Sequence, residues 1–237
     1  MSNRARSNQV DLRTALHNIH ADPFWWRKVL IGGALMLTGV GATWPAGLVV
    51  ESMENVGKGY PTPLPPSADV WTRCIIGLFA LVIDFFFFVL PVLFGGLLLF
   101  CGLAGLALTQ IGAVTLLVGQ AVGTLLGLLL LFLFAVGIAP VARLAYIADG
   151  RAEAALTPGL IRNALGASRR AYGRARLHSL PGYAPMLLLA AMTWLVARSN
   201  LPGVWLLTAL LIWLTLSALI YAHLVVAQLY GALVRTS

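Results

Sequence analysis

Few residues in this chain could do chemistry, and most of those lie inside apolar runs. Asp84 is the one charge between residues 74 and 100, and Phe85 to Phe88 follow it directly. A carboxylate at mid-bilayer costs about 2.5–3.5 kcal/mol on insertion scales unless it faces protein or water. It can serve as a proton or cation site. It can also be a packing carboxyl, bonded to a hydroxyl or amide on another helix or wetted at the inner surface. A transporter normally lines a path with several polar groups. Here the candidates are Asp84, Thr109, Gln110, Thr115, Gln120, Thr124, His223 and Gln228. That set is thin for a pump, and it favours the packing reading.

His223, in "SALIYAHLVVAQLYG", is the only histidine deep in an apolar run. A neutral imidazole there could ligate haem iron or a chlorophyll magnesium. A two-histidine haem site would need a second buried ring, and His17, His20 and His178 all lie in polar segments. The sequence therefore requires no cofactor. A chlorophyll-type pigment, a carotenoid or haem are the groups that such a surface could accept. The chain has no phosphate-binding loop, HExxH, CxxC or Ser-His-Asp set, so no enzyme is expected. Cys74 and Cys101 show no metal or pairing spacing and read as small buried hydrophobes.

The elements that hold these residues follow from composition. Of 237 residues, 59% are hydrophobic and 10% charged, and mean hydropathy is +0.88. A soluble domain carries about 25% charged residues. A water-soluble fold could not hide this much apolar surface. The expected fold is an all-α, polytopic helical membrane bundle of about six spans. Four units are expected: a cytoplasmic amphipathic segment 1–28, helices one to four over 29–148, a cytoplasmic basic segment 149–182, and helices five and six over 183–237.

In segment 1–28, Leu12, Ala15, Leu16 and Ile19 are mostly at helical spacing, which predicts a short surface helix. Asp22-Pro23 is a helix-start signal. Trp25, Trp26, Arg27 and Lys28 form an aromatic and cationic anchor at headgroup level. The first span is expected over 29–50, with Pro45 as a possible kink. The Gly- and Pro-rich stretch 51–73 leaves the membrane as a loop, with 51–71 external. Residues 74–148 suit three spans near 72–91, 92–110 and 112–146, joined at Pro91 and at Thr109-Gln110-Ile111-Gly112. A re-entrant middle segment remains open. The last spans are expected near 184–198 and 203–233.

Charge orients these spans. The tail 1–28 carries five Lys/Arg against two acids, residues 51–73 two against three, and residues 141–180 seven against two. By the positive-inside rule the first and third are cytoplasmic and the second external. Within 149–180, Thr157-Pro158 starts a helix. Its arginines Arg162, Arg169, Arg170, Arg174 and Arg176 surround an apolar stripe, as in a helix that lies on anionic lipid. The net charge of +8 is thus explained by topology and headgroups rather than by nucleic acid. No signal peptide is expected.

Three phrases together resemble a family of prokaryotic multi-span membrane proteins of unknown function. They are "DPFWWRKVLIGG", "GYPTPLPP" and "APVARLAYIADGRAEAALTPGLIRNALGASRRAYG". The resemblance implies a helical integral membrane protein in the inner membrane and no activity. The expected role is a non-enzymatic accessory or assembly subunit of a larger membrane complex, of an energy-transducing (photosynthetic or respiratory) kind. Its partners would be other integral membrane subunits and anionic lipids. The alternatives are a small cation- or proton-coupled transporter or channel using Asp84, and a pigment- or haem-binding subunit using His223. The glycine series, with Gly119/Gly123/Gly127 at small-xxx-small spacing, allows close helix approach within the chain or to a partner.

Overall fold

The computed structural model describes residues 11–60, 64–66, 69–108, 113–132, 138–167, 169–199 and 202–234. Every regular element among them is helical. The longest, α12 (Val204–Val234, 31 residues), is the mast of the bundle. Its sequence is almost wholly apolar, and two of its hydroxyls bond back into their own helix. Thr215 Oγ1 donates to the Leu211 carbonyl and Ser217 Oγ to that of Trp213, the usual way such groups are tolerated away from water. Leu224, Val225, Val226 and Tyr230 on α12 lie at the centre of the core.

Residues 29–50 do not form one span. They divide between α2 (Trp25–Met36) and α3 (Thr43–Lys58), with a 3-10 turn at Val40–Ala42. Gly39 sits at φ +75°, where the chain reverses. Thr38 Oγ1 donates to the Leu35 carbonyl and accepts from Gly41 N, so the turn satisfies its own backbone. Contacts along the mast show the reversal. On α2, Trp25 meets Tyr221 and Gly33 meets Ser217. On α3, Pro45 and Ala46 share a cavity with Leu219 and Ile220, and Gln228 Nε2 donates to Ser52 Oγ. Thus α3 runs parallel to α12 while α2 runs back against it. At 12 and 16 residues, α2 and α3 are about 18 and 24 Å long, each short of the roughly 30 Å of a hydrocarbon core. Pro45 falls in the first turn of α3, where its missing N–H is harmless, and produces no kink.

The hairpin returns the 59–69 connection to the end of the bundle where the chain began. Lys28 Nζ, near the start of α2, donates to the Pro65 carbonyl at 2.8 Å. Residues 64–66, part of the stretch expected outside the membrane, thus lie beside the N-terminal end of α2. Helix α1 (Leu12–His20) is at this same end. It buries Ala15 and Ile19 and brings Asn18 within 3.4 Å of Gln228, so it packs on the mast rather than on a surface.

After the connection, α4 (Val70–Asp84), a π-helical turn (Phe85–Val89) and α5 (Leu90–Leu108) run on as one helical rod. Pro91 was the expected join, but the helix passes through it. A proline has no N–H and crowds the carbonyl four residues earlier. The wide turn ahead of it absorbs the mismatch, with Leu90 N bonded to Phe85 O. The second expected join, 109–112, lies outside the described residues, as does Gln110. Helix α6 (Ala113–Phe132) packs chiefly on α5, and α7 (Ala139–Asp149) returns to the bundle. Cys101, expected to be buried, is exposed on α5.

Next come α8 (Ala152–Leu156), α9 (Pro158–Ala167), α10 (Arg169–Ser179), a 3-10 turn and α11 (Ala184–Ala197). The basic helix expected after Thr157-Pro158 is described as α9 and α10, and residue 168 between them lies outside the described residues. Ala175 is fully buried, and Tyr172 meets Tyr230 of the mast at 6.0 Å. The apolar stripe of α10 is covered by protein. Among the described residues, three helices are long and apolar enough to cross a membrane: Val70–Phe87, Arg170–Ala197 and Val204–Leu233.

Candidate functional site

Asp84 is the last residue of α4 and Arg143 lies in the second turn of α7. Arg143 Nε donates to Asp84 Oδ1 at 3.1 Å, and Nη2 donates to Oδ2. This is a two-pronged guanidinium–carboxylate fork, the strongest common form of ion pair. Arg143 is buried, and the Asp84 side chain keeps 26% of its exposure. Pairing offsets the cost of a lone charge in an apolar surround, and it gives the carboxylate a fixed partner.

The pair borders a cavity of about 80 Å³. Met36 and Ala42 at the hairpin tip, Leu81 on α4 and His223 on α12 also line it. Tyr183 meets His223 edge-on at 6.1 Å between ring centres. The structure thus gathers Asp84 and His223, which the sequence had singled out separately. Arg143, which joins them, was missed as a site residue and counted only as a cytoplasmic charge. A signal was available: Asp84 and Arg143 are the only charged residues between 74 and 148. Two opposite charges alone in so long an apolar run are strong candidates to meet. The cavity is well below the ~300 Å³ at which small-molecule pockets begin.

A second polar cluster fixes the 59–69 connection. Lys28 is buried, and it donates to Asp22 Oδ2 as well as to the Pro65 carbonyl. Arg73 is also buried. Its Nε donates to Glu51 Oε2 at 3.0 Å, its Nη2 to the Pro66 carbonyl at 2.6 Å, and its guanidinium stacks over Trp44 at 5.4 Å. Two cations from different helices therefore hold consecutive proline carbonyls. Prolines suit this because their carbonyls remain free acceptors and their rings resist rearrangement.

The remaining expected positions disperse. Lys28, expected among headgroups, is spent on this clamp. Trp25 is half-buried against His20 and Tyr221. Trp26 is exposed, with the Arg27 guanidinium 5.1 Å over its ring. Arg162, Arg170 and Arg174 are exposed and Arg176 is half-buried, while the side chain of Arg169 lies outside the described residues. Gln120 is exposed on α6. Among the described residues no group of His, Cys, Asp and Glu could hold a metal ion.

The profile of a family described as protein of unknown function (DUF4013) matches residues 30–180. No curated protein and no solved structure matches the chain. The matched region contains the turn at Gly39, the 59–69 connection with Arg73 but not Lys28, the Asp84–Arg143 fork and the basic segment. Because it spans more than half of the sequence, this membrane protein belongs to the DUF4013 family of proteins of unknown function.

Proposed function

We propose that the chain is a non-enzymatic accessory or assembly subunit of a larger membrane protein complex, set in the inner membrane of a prokaryote with both termini cytoplasmic. The observation that carries this is the α5–α6 hairpin. It projects as an arm that packs chiefly on itself and exposes Leu93, Phe94, Leu97, Phe100 and Leu125. Lipid could cover such residues. It does not account for Gly95, Gly96 and Gly105, where an added side-chain carbon would meet nothing within 4 Å. A glycine inside a helix costs about 1 kcal/mol relative to alanine. Three that meet no side chain or backbone among the described residues suit close approach by the helices of another integral membrane subunit. An energy-transducing complex is the preferred setting. Gentle detergent extraction and native separation should place the chain in a larger assembly, and Gly96→Leu should release it. A lone 25.3 kDa species without companions would refute the reading.

A second reading, a small cation- or proton-coupled transporter or channel, draws on the cavity shared by Asp84, Arg143 and His223. The fork argues against it, because Asp84 is already neutralised by a fixed partner. Flux in vesicles that disappears in Asp84→Asn would reverse this ranking. The exposed Arg162, Arg170 and Arg174 suit anionic lipid at the inner leaflet.

A further inference from the structure

We infer that the α2–α3 hairpin is re-entrant: it enters the bilayer from one face, turns at Gly39 within the hydrocarbon, and leaves by the same face, with its tip lodged among lipid acyl chains. The inference goes beyond the docking reading and does not depend on it, because it concerns residues 25–58 and not the α5–α6 arm.

Charge sets the root of the hairpin. Lys28 and Glu51 bracket residues 29–50, a run that holds no charged side chain. Both ends of the run reach the same polar cluster. Lys28 holds the Pro65 carbonyl, and Glu51 binds Arg73, which holds that of Pro66. Such a cluster suits the edge of the hydrocarbon rather than its middle. From Lys28 to Gly39 the chain advances about 16 Å at 1.5 Å per residue, near half of a core roughly 30 Å thick. The mast gives a similar depth from the other side. Gly33 lies against Ser217. Gly39 reaches about 10 Å farther along α12, whereas α12 continues about 20 Å beyond Ser217 to Val204. A boundary is marked there by an aromatic and cationic belt. Trp205 is exposed, and the Arg198 guanidinium lies 4.1 Å over the ring of the exposed Trp194. Between that belt and the level of the tip, Leu206, Leu207 and Leu210 are exposed, a surface suited to hydrocarbon.

The tip itself is built for a medium without water. Leu37 and Val40 are exposed, Val40 at 84%. Every N–H from Leu37 to Thr43 nevertheless has an acceptor within the hairpin. Those of Leu37, Thr38, Gly39, Val40 and Ala42 donate to carbonyls of residues 34–39. That of Gly41 donates to Thr38 Oγ1, and that of Thr43 reaches the Val40 and Gly41 carbonyls. The hydroxyls are used as well: Thr38 Oγ1 donates to the Leu35 carbonyl and Thr43 Oγ1 to that of Val40. A turn in water can leave such donors to solvent, but backbone in hydrocarbon must satisfy them internally. An exposed aliphatic tip whose donors are all bonded within the turn therefore fits acyl chains and not an aqueous loop.

The test uses the purified full chain in nanodiscs, with Cys74 and Cys101 replaced by serine. Spin labels at Leu37→Cys and Val40→Cys, both exposed positions, report collisions with oxygen, which concentrates in hydrocarbon, and with a water-soluble nickel chelate. Both labels are expected to show an oxygen-to-nickel ratio several-fold above that of Arg13→Cys and close to that of Leu210→Cys on the mast. Nickel contact equal to that of Arg13→Cys would put the tip in water and overturn the inference. So would protection from both reagents, since protein rather than lipid would then cover the tip. A label pair at Phe24→Cys and Lys58→Cys reads the direction of the two legs. The hairpin brings these positions to one end, well under the roughly 50 Å that a straight helix between them would impose. A distance near that upper figure would overturn the re-entry whatever the depth of the tip. No partner is present, so these outcomes are independent of the docking test.

Discussion

At the scale of single residues, the charged groups inside this bundle are paired, and the pairs join segments that lie far apart in the chain. Arg143 meets Asp84, and Arg73 meets Glu51. Lys28 meets Asp22 near in sequence but also reaches Pro65. Removing one member of a buried pair strands the other. Lys28→Met should therefore lower stability by about 3–5 kcal/mol, measured by thermal unfolding in a fixed detergent. It should also expose the 59–69 connection to protease. Unchanged melting and unchanged cleavage would show that the clamp contributes nothing. Which residues were expensive to bury was readable from the sequence, because an isolated charge in an apolar run needs a partner. The identity of each partner was not, since a separation of 59 residues along the chain says nothing about distance in space.

At the scale of elements, glycine marks two different situations. Gly77 on α4 lies against the Thr43 carbonyl and Gly47 on α3 against that of Arg73, so backbone meets backbone where these helices cross. A methyl group has no room there. Gly77→Ala should cost about 1–3 kcal/mol through overpacking, seen as a lowered midpoint in thermal unfolding. Gly96 on the arm faces open space. Gly96→Ala should leave the isolated protein's unfolding midpoint unchanged or raise it, by up to about 1 kcal/mol from helix propensity. Equal losses at both sites would mean that the arm folds back on the bundle. Spacing predicted close approach for the whole series without distinguishing the two classes. An i,i+4 glycine pattern is the same whether the neighbouring helix belongs to this chain or to another.

At the scale of the whole molecule, the hairpin at Gly39 changes the arrangement of ends. Helix α1, residues 64–66, α10 and the C-terminal half of α12 gather toward one end of the bundle, and residues 202–203 ahead of α12 lie toward the other. Single cysteines at Arg13, Tyr60 and Arg174, in a background without Cys74 and Cys101, should therefore react with an impermeant thiol reagent from the same side. A cysteine at Pro202 should react from the opposite side. Labelling of Tyr60→Cys from the side opposite to Arg13→Cys would restore the single 29–50 span and discard the hairpin. The sequence by itself determined that this is a helical membrane protein, because 59% hydrophobic content leaves no other solvent for it. It also determined where α11 and α12 lie, because long apolar runs with polar breaks force backbone hydrogen bonds inward. Tertiary structure alone decided that residues 29–50 reverse, that Pro91 does not break the rod, and that Asp84 belongs to Arg143. Hydropathy measures how much surface must leave water. It carries no information on which way a helix points or on which helix it touches, and those choices are made by packing between segments distant in the chain.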